Sequence, residues 1–145
     1  MKTSARNHFT GIVTAVREGA VNDEIELAIT GGHRVVAVVT RESTESLGLA
    51  EGVKAFALVK ASSIIVATEL PPAKLSARNQ LAGTVTHVEH GAVNDEIVIR
   101  LGEKDGAIEI AAIVTSASSK ALGLEEGVAA TALFKASSVI VGVPG

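Results

Sequence analysis

The segment Ser4-Ala5-Arg6-Asn7 returns as Ser76-Ala77-Arg78-Asn79, and Lys60-Ala61-Ser62-Ser63 returns as Lys135-Ala136-Ser137-Ser138. A chain that repeats itself in this way is one small module written twice, so its fold must be buildable from two similar halves. Between these marks Gly19-Ala20-Val21-Asn22-Asp23-Glu24-Ile25 matches Gly91-Ala92-Val93-Asn94-Asp95-Glu96-Ile97, 72 positions on, whereas Leu47-Gly48-Leu49 matches Leu122-Gly123-Leu124, 75 positions on. The difference places a three-residue insertion near Gly102-Glu103-Lys104-Asp105-Gly106. A surface turn tolerates such an insertion, because lengthening a loop adds little closure entropy. The expected organisation is a first module at residues 1–69, a restrained proline-containing linker at 70–75 and a second module at 76–145.

Each copy is near the size at which an isolated hydrophobic core is marginal without disulfides, metals or neighbouring structure. The chain contains no cysteine, so disulfides and thiolate metal sites are excluded and stability must come from packing. The polar start has no signal-type apolar run behind it, and no apolar stretch reaches the length of a membrane span, which makes a soluble cytoplasmic protein the expectation. Thirteen basic residues stand against 16 acidic ones, a net charge of -3 that offers no broad footprint for nucleic acid or an anionic membrane. Any anion site has to be local.

The periodicity is that of strands. Ile25, Leu27 and Ile29 alternate with Glu24, Glu26 and Ala28, and Ile97, Ile99 and Leu101 with Glu96, Val98 and Arg100. Further strands are expected at Thr10–Val16, Arg34–Thr40, Val53–Val59 and Ser63–Val66, with their repeats in the second copy. Val35, Val36, Val38 and Val39 form an almost unbroken β-branched run, as in a strand covered on both faces or meeting another module. A short helix is expected near Ser43–Leu49, ended by Gly48. The predicted fold is therefore β-dominated: two tandem, small, OB-like five-stranded barrels, each with a short helix.

No metalloprotease, dinucleotide-binding or phosphate-loop motif is present, and no acid, base and nucleophile constellation emerges, so an enzyme is not expected. His33 has no histidine counterpart and His8 faces Gln80, which removes them from any duplicated ligand set; His87 and His90 read as surface residues. Asn22-Asp23 and Asn94-Asp95 have turn chemistry, and a structural role is expected for Asp23, Glu24, Asp95 and Glu96. The donor-rich segments are different. Arg6 and Asn7, with Lys60, Ser62 and Ser63, supply a guanidinium fork, an amide, an ammonium and two hydroxyls, and Arg78, Asn79, Lys135, Ser137 and Ser138 supply them again. Neither segment contains an acidic residue, which suits a tetrahedral anion needing convergent donors. The plainer reading, a satisfied chain start and an exposed strand end, stays open on composition alone.

The order Ser-Ala-Arg-Asn, Gly-x-Val, Gly-Ala-Val-Asn-Asp-Glu, Leu-Gly-Leu and Lys-Ala-Ser-Ser resembles the molybdate-binding Mop family, or molbindins, in its tandem two-module form, and the likeness runs through both copies. The resemblance implies a cytoplasmic molybdate store or buffer, able also to take tungstate, assembled as a homotrimer of six modules. It implies ligand contacts from Ser4, Ala5, Arg6, Asn7, Lys60, Ala61 and Ser62, and from Ser76, Ala77, Arg78, Asn79, Lys135, Ala136 and Ser137, the two kinds of segment converging from different modules. Thr40, Ser43, Thr115 and Ser118, at the strand-to-helix turns, are additional candidates, because amides at a helix start lack partners within the helix. The copies are not identical: Arg41-Glu42 stands where the second has Ser116-Ala117.

Binding of this kind is reversible hydrogen bonding to the oxygens, with no direct protein ligation of the metal and no organic cofactor. A pocket lined by donors alone disfavours protonated phosphate, whose proton lacks an acceptor, by roughly 1–3 kcal/mol if buried. The alternative is an OB-like module for protein or nucleic-acid interaction. Against it stand the absence of tyrosine and tryptophan, only three phenylalanines and an acidic charge, which leave little for base stacking.

Overall fold

The computed structural model describes residues 1–69, 74–102 and 107–145; residues 70–73 of the expected linker and 103–106 of the expected insertion lie outside the described residues. The first copy runs β1 (Asn7–Arg17), β2 (Asn22–Ile29), β3 (His33–Thr40), α1 (Arg41–Leu47), β4 (Lys54–Val59) and β5 (Ile65–Ala67). The second runs β6 (Asn79–Glu89), β7 (Asn94–Leu101), β8 (Ile108–Thr115), α2 (Ser116–Ala121), β9 (Ala129–Phe134) and β10 (Ile140–Gly142). Five strands and one short helix per copy, in a β-dominated OB-like fold, agree with the sequence.

The alternation predicted for β2 and β7 holds: Ile25, Leu27, Ile29, Ile97, Ile99 and Leu101 are all buried, while Glu24, Glu26, Glu96 and Arg100 on the other face are half-buried. Asn22-Asp23 is not the turn itself, however. Both residues already belong to β2, and the chain turns before them, at residues 18–21. Nor does the segment Ser63–Val66 form one strand. A 3-10 turn over Ala61–Ser63 precedes β5, with Ser63 N–H donating to Lys60 O at 2.9 Å, and Ala136–Ser138 repeats it before β10.

Helix α1 begins earlier than expected because its cap is Thr40, whose extended backbone lets Oγ1 accept Ser43 N–H at 3.1 Å. Gly48, at φ 65°, ends it in the left-handed conformation that glycine adopts without side-chain strain. Gly11 has another reason to be glycine. A Cβ there would stand 2.2 Å from Ala28 O, so any side chain would push β1 away from β2.

The sheets do not follow the sequence copies. One has the order β10-β4-β1-β2-β3 and the other β5-β9-β6-β7-β8, so each takes four strands from one copy and its last edge strand from the other. Ile140, Val141 and Gly142 pair antiparallel with Leu58, Ala57 and Phe56, and Ile65, Val66 and Ala67 pair with Leu133, Ala132 and Thr131. A single buried cluster accordingly draws on both halves, including Phe9, Ile25 and Leu27 with Ile97, Ile99 and Phe134. The burial that one copy lacks comes from its covalent neighbour. Along β3, Val35 and Ala37 face inward, whereas Val36 and Val38 stay half-buried where the strand edge meets the second copy.

Candidate functional site

Antiparallel pairing of β1 with β4 sets Asn7 opposite Val59, which brings Arg6 and Asn7 beside Lys60 at the start of the Ala61–Ser63 turn. Asn79 opposite Phe134 does the same for Arg78, Asn79 and Lys135. The two donor segments of one copy are therefore neighbours within that copy. The other copy contributes a strand edge, as the Ala61–Ser63 turn packs against β8 and the Ala136–Ser138 turn against β3. Within a single chain this differs from the expectation that the two segments converge from different modules. The junction between copies is nevertheless where both lie.

The asparagines make that junction. Asn7, 1% exposed, donates from Nδ2 to Ala111 O at 2.8 Å and Val59 O at 3.2 Å, while its Oδ1 accepts Ala111 N–H at 2.8 Å. Asn79 clamps Val36 in the same way, with both bonds at 2.8 Å. Each amide replaces a strand partner at the edge of the opposite sheet, satisfying main-chain groups that would otherwise be buried without partners. The amides that the sequence offers as anion donors are here engaged with main chain of both copies. Asn7 uses its oxygen and both N–H donors on backbone, and Asn79 its oxygen and one N–H.

The arginines are also engaged. Arg6 forms a two-point contact with Glu96, both N to O distances being 2.7 Å, and Arg78 a matching one with Glu24 at 2.8 and 2.9 Å. Folding thus brings a carboxylate from the opposite copy to segments whose own sequence has none. Arg78 is the main cause holding the Glu24 carboxyl below its ordinary range, and the Arg78 guanidinium is raised in turn. The structural role expected for Glu24 and Glu96 takes the form of clamps between copies, a pairing no local pattern in the sequence announces.

Ser4, Lys60 and Ser62 are exposed, as are Ser76, Lys135 and Ser137; Ala5 and Ala77, Ser63 and Ser138 are partly exposed, and Ala61 and Ala136 are buried as the packing anchors of their turns. The ammonium, the hydroxyls and the first amides of each turn are the groups able to meet a ligand. Thr40 and Ser43 are accounted for as a cap, Thr40 Oγ1 also donating to Ser43 Oγ at 2.8 Å, and Thr115 and Ser118 repeat it at the same distance. Among the described residues no side-chain hydrogen bond joins these caps to the donor segments.

Below β2 and β7 the acidic residues hold turns. Asp23 accepts Gly19 N–H at 3.0 Å, the first cause of its lowered pKa, with Thr44 and Arg41 adding to it. Asp95, 2% exposed, accepts Ser116 Oγ–H at 2.7 Å and Gly91 N–H at 3.1 Å, and lies 3.0 Å from His90 Nδ1. Among the described residues no group of three or more His, Cys, Asp or Glu is gathered as a metal site, and no helix is long and apolar enough to cross a membrane.

The TOBE domain family matches residues 3–66 and again 75–141. The chain belongs to the TOBE-domain family. Its tandem form is that of the molbindin-type relatives. It is 48% identical over its whole length to the molybdenum transport protein ModE of Azotobacter vinelandii, covering 52% of that protein, and 49% identical over 99% of its length to the molybdenum-pterin-binding protein MopA of Rhodobacter capsulatus, covering 53%. The chain spans about half the length of the curated relatives it matches. A solved structure of the cytoplasmic molybdate-binding protein ModG, with molybdate bound, superposes with a TM-score of 0.94 at 48% identity, covering 99% of this chain and 100% of that one. The TOBE pair here therefore shares its fold with that solved chain along the length of both.

Proposed function

We propose that this chain binds molybdate reversibly as a cytoplasmic storage and homeostasis protein, with tungstate as a second ligand and with no catalysis, organic cofactor, nucleic acid or membrane involved. The observation that carries the reading is the twofold convergence of Lys60, Ser62 and Ser63 with Ser4 to Asn7, and of Lys135, Ser137 and Ser138 with Ser76 to Asn79, at junctions between TOBE copies. The full-length likeness to molybdate-bound ModG supplies the ligand.

In this reading the lysine ammonium and the serine hydroxyls donate to the four oxygens, joined by main-chain amides of Ala61, Ala77 and Ala136 and by that of Ala5, which would exchange its 3.2 Å bond to Thr3 Oγ1 for the ligand. Charge-assisted donors of this kind offset the hydration a dianion loses on entering a site. The exposed caps Thr40-Ser43 and Thr115-Ser118 are assigned to sites completed by further chains of a homotrimer. Exposed apolar residues repeated in both copies, Val21 with Val93 and Ile65 with Ile140, support such an assembly.

Titration calorimetry of molybdate into the purified protein, with molar mass measured by light scattering, tests this. Several molybdates per trimer are expected, with sulfate and phosphate failing to compete. Lys60→Ala and Lys135→Ala should each weaken a subset of sites by about 2–4 kcal/mol where the contact is buried. Unchanged stoichiometry and affinity in the double variant would remove the lysines from the site.

A further inference from the structure

We infer that Glu96 and Glu24 are positioning residues of the oxyanion site, each holding the arginine of the opposite copy so that Arg6 and Arg78 orient their segments and do not themselves donate to the anion. The inference rests on the molybdate reading above and concerns how that site is built. A planar guanidinium offers paired N–H groups that match a carboxylate, and both forks are filled in this way: Arg6 on Glu96 at 2.7 and 2.7 Å, Arg78 on Glu24 at 2.8 and 2.9 Å.

Three features set these pairs apart from ordinary surface ion pairs. They recur at equivalent positions in both copies, each crosses from one copy to the other, and each carboxylate is largely covered, at 22% side-chain exposure against 55% and 54% for the arginines. Swinging Arg6 out to an anion would leave Glu96, 22% exposed, with no ion-pair partner among the described residues, whereas Glu24 would keep Arg17 at 3.2 Å, so the pinning is stricter at Arg6 than at Arg78. The next residue in each segment is the asparagine clamped to the opposite sheet edge, by Ala111 for Asn7 and by Val36 for Asn79. Arginine and asparagine together pin each donor segment at two successive points on the other copy. The residues on either side, Ser4 and Lys60 or Ser76 and Lys135, then face the ligand from a fixed frame, and the positive charge left to attract it is that of the lysine.

Removing the carboxylate distinguishes the two roles by sign. If Arg6 only positions the segment, Glu96→Gln loosens it and weakens molybdate binding, by roughly 10-fold, as for loss of an outer-shell orienting partner. If the arginine is the anion donor and Glu96 merely restrains it, Glu96→Gln frees a cation and tightens binding. The exchanged pair Arg6→Glu with Glu96→Arg is the second arm, measured by calorimetry on protein whose molar mass matches wild type. Recovery of most of the lost affinity supports positioning. An exchanged pair that binds no better than Arg6→Glu alone, or Glu96→Gln that binds as tightly as wild type or tighter, overturns the inference while leaving the functional reading intact. Wild-type protein that takes up no molybdate overturns the functional reading and this inference with it.

Discussion

Asp95, 2% exposed, is ringed by hydrogen-bond donors that hold its carboxylate in the charged form. The Ser116 hydroxyl is the main group stabilising its charged form, burial opposes it, and Gly91 N–H, Ser119 and His90 add to the stabilisation, with a pKa of about 2 as the net result. Its folded pKa lies below that of the unfolded chain, so the stabilisation is complete above about pH 5 and is lost as the pH falls toward 2. Acid unfolding followed by circular dichroism should therefore show Asp95→Asn losing less stability than wild type over that window, from a lower starting value at neutral pH. Parallel curves for the two proteins would mean that the carboxylate is not held by these bonds. At Asp23 the neighbour Arg41 takes the place of Ser116, so the same turn is closed with a different charge balance in each copy.

At the scale of elements, the strands were legible because Ile25, Leu27 and Ile29 alternate so cleanly, and the helix because Gly48 stops it; the exchange of β5 and β10 was not. Ile65-Val66-Ala67 and Ile140-Val141-Gly142 carry the same apolar pattern, and periodicity records which residues point inward without recording whose edge they complete; only Gly142, where a Cβ would stand 2.4 Å from the Phe56 ring, distinguishes the two. The same blindness applied to the site. Lys60 and Ser62 could be picked out by type, but that Asn7 would be consumed by Ala111 and Arg6 by Glu96 depends on contacts between residues about a hundred positions apart. The exchange has a consequence for a single copy. Residues 1–69 alone carry a β4 edge that lacks β10 and a β5 that lacks β9, and each need is met by a second molecule of the same segment. The isolated segment should therefore be dimeric by light scattering; a stable, well-folded monomer would show that β5 can close its own sheet.

For the whole molecule, the placement of the donor segments at junctions between copies links ligand occupancy to the integrity of the fold. A ligand that binds only the assembled state adds stability by mass action, about 2.7 kcal/mol per site at a free concentration one hundred times its dissociation constant. Molybdate should therefore raise the melting temperature of the chain, and sulfate at the same concentration should not. Lys60 and Lys135 are exposed and belong to no ion pair among the described residues, so the fold does not depend on their charge. The variant carrying both Lys60→Ala and Lys135→Ala is thus expected to melt near wild type without ligand and to show a much smaller rise with molybdate, as read by differential scanning calorimetry at matched oligomeric state. Loss of stability without ligand would instead make the lysines part of the scaffold. A full molybdate-dependent rise in the double variant would place the anion away from the Ala61–Ser63 and Ala136–Ser138 turns, because no site built on those turns keeps its affinity after losing the cation at their first residue.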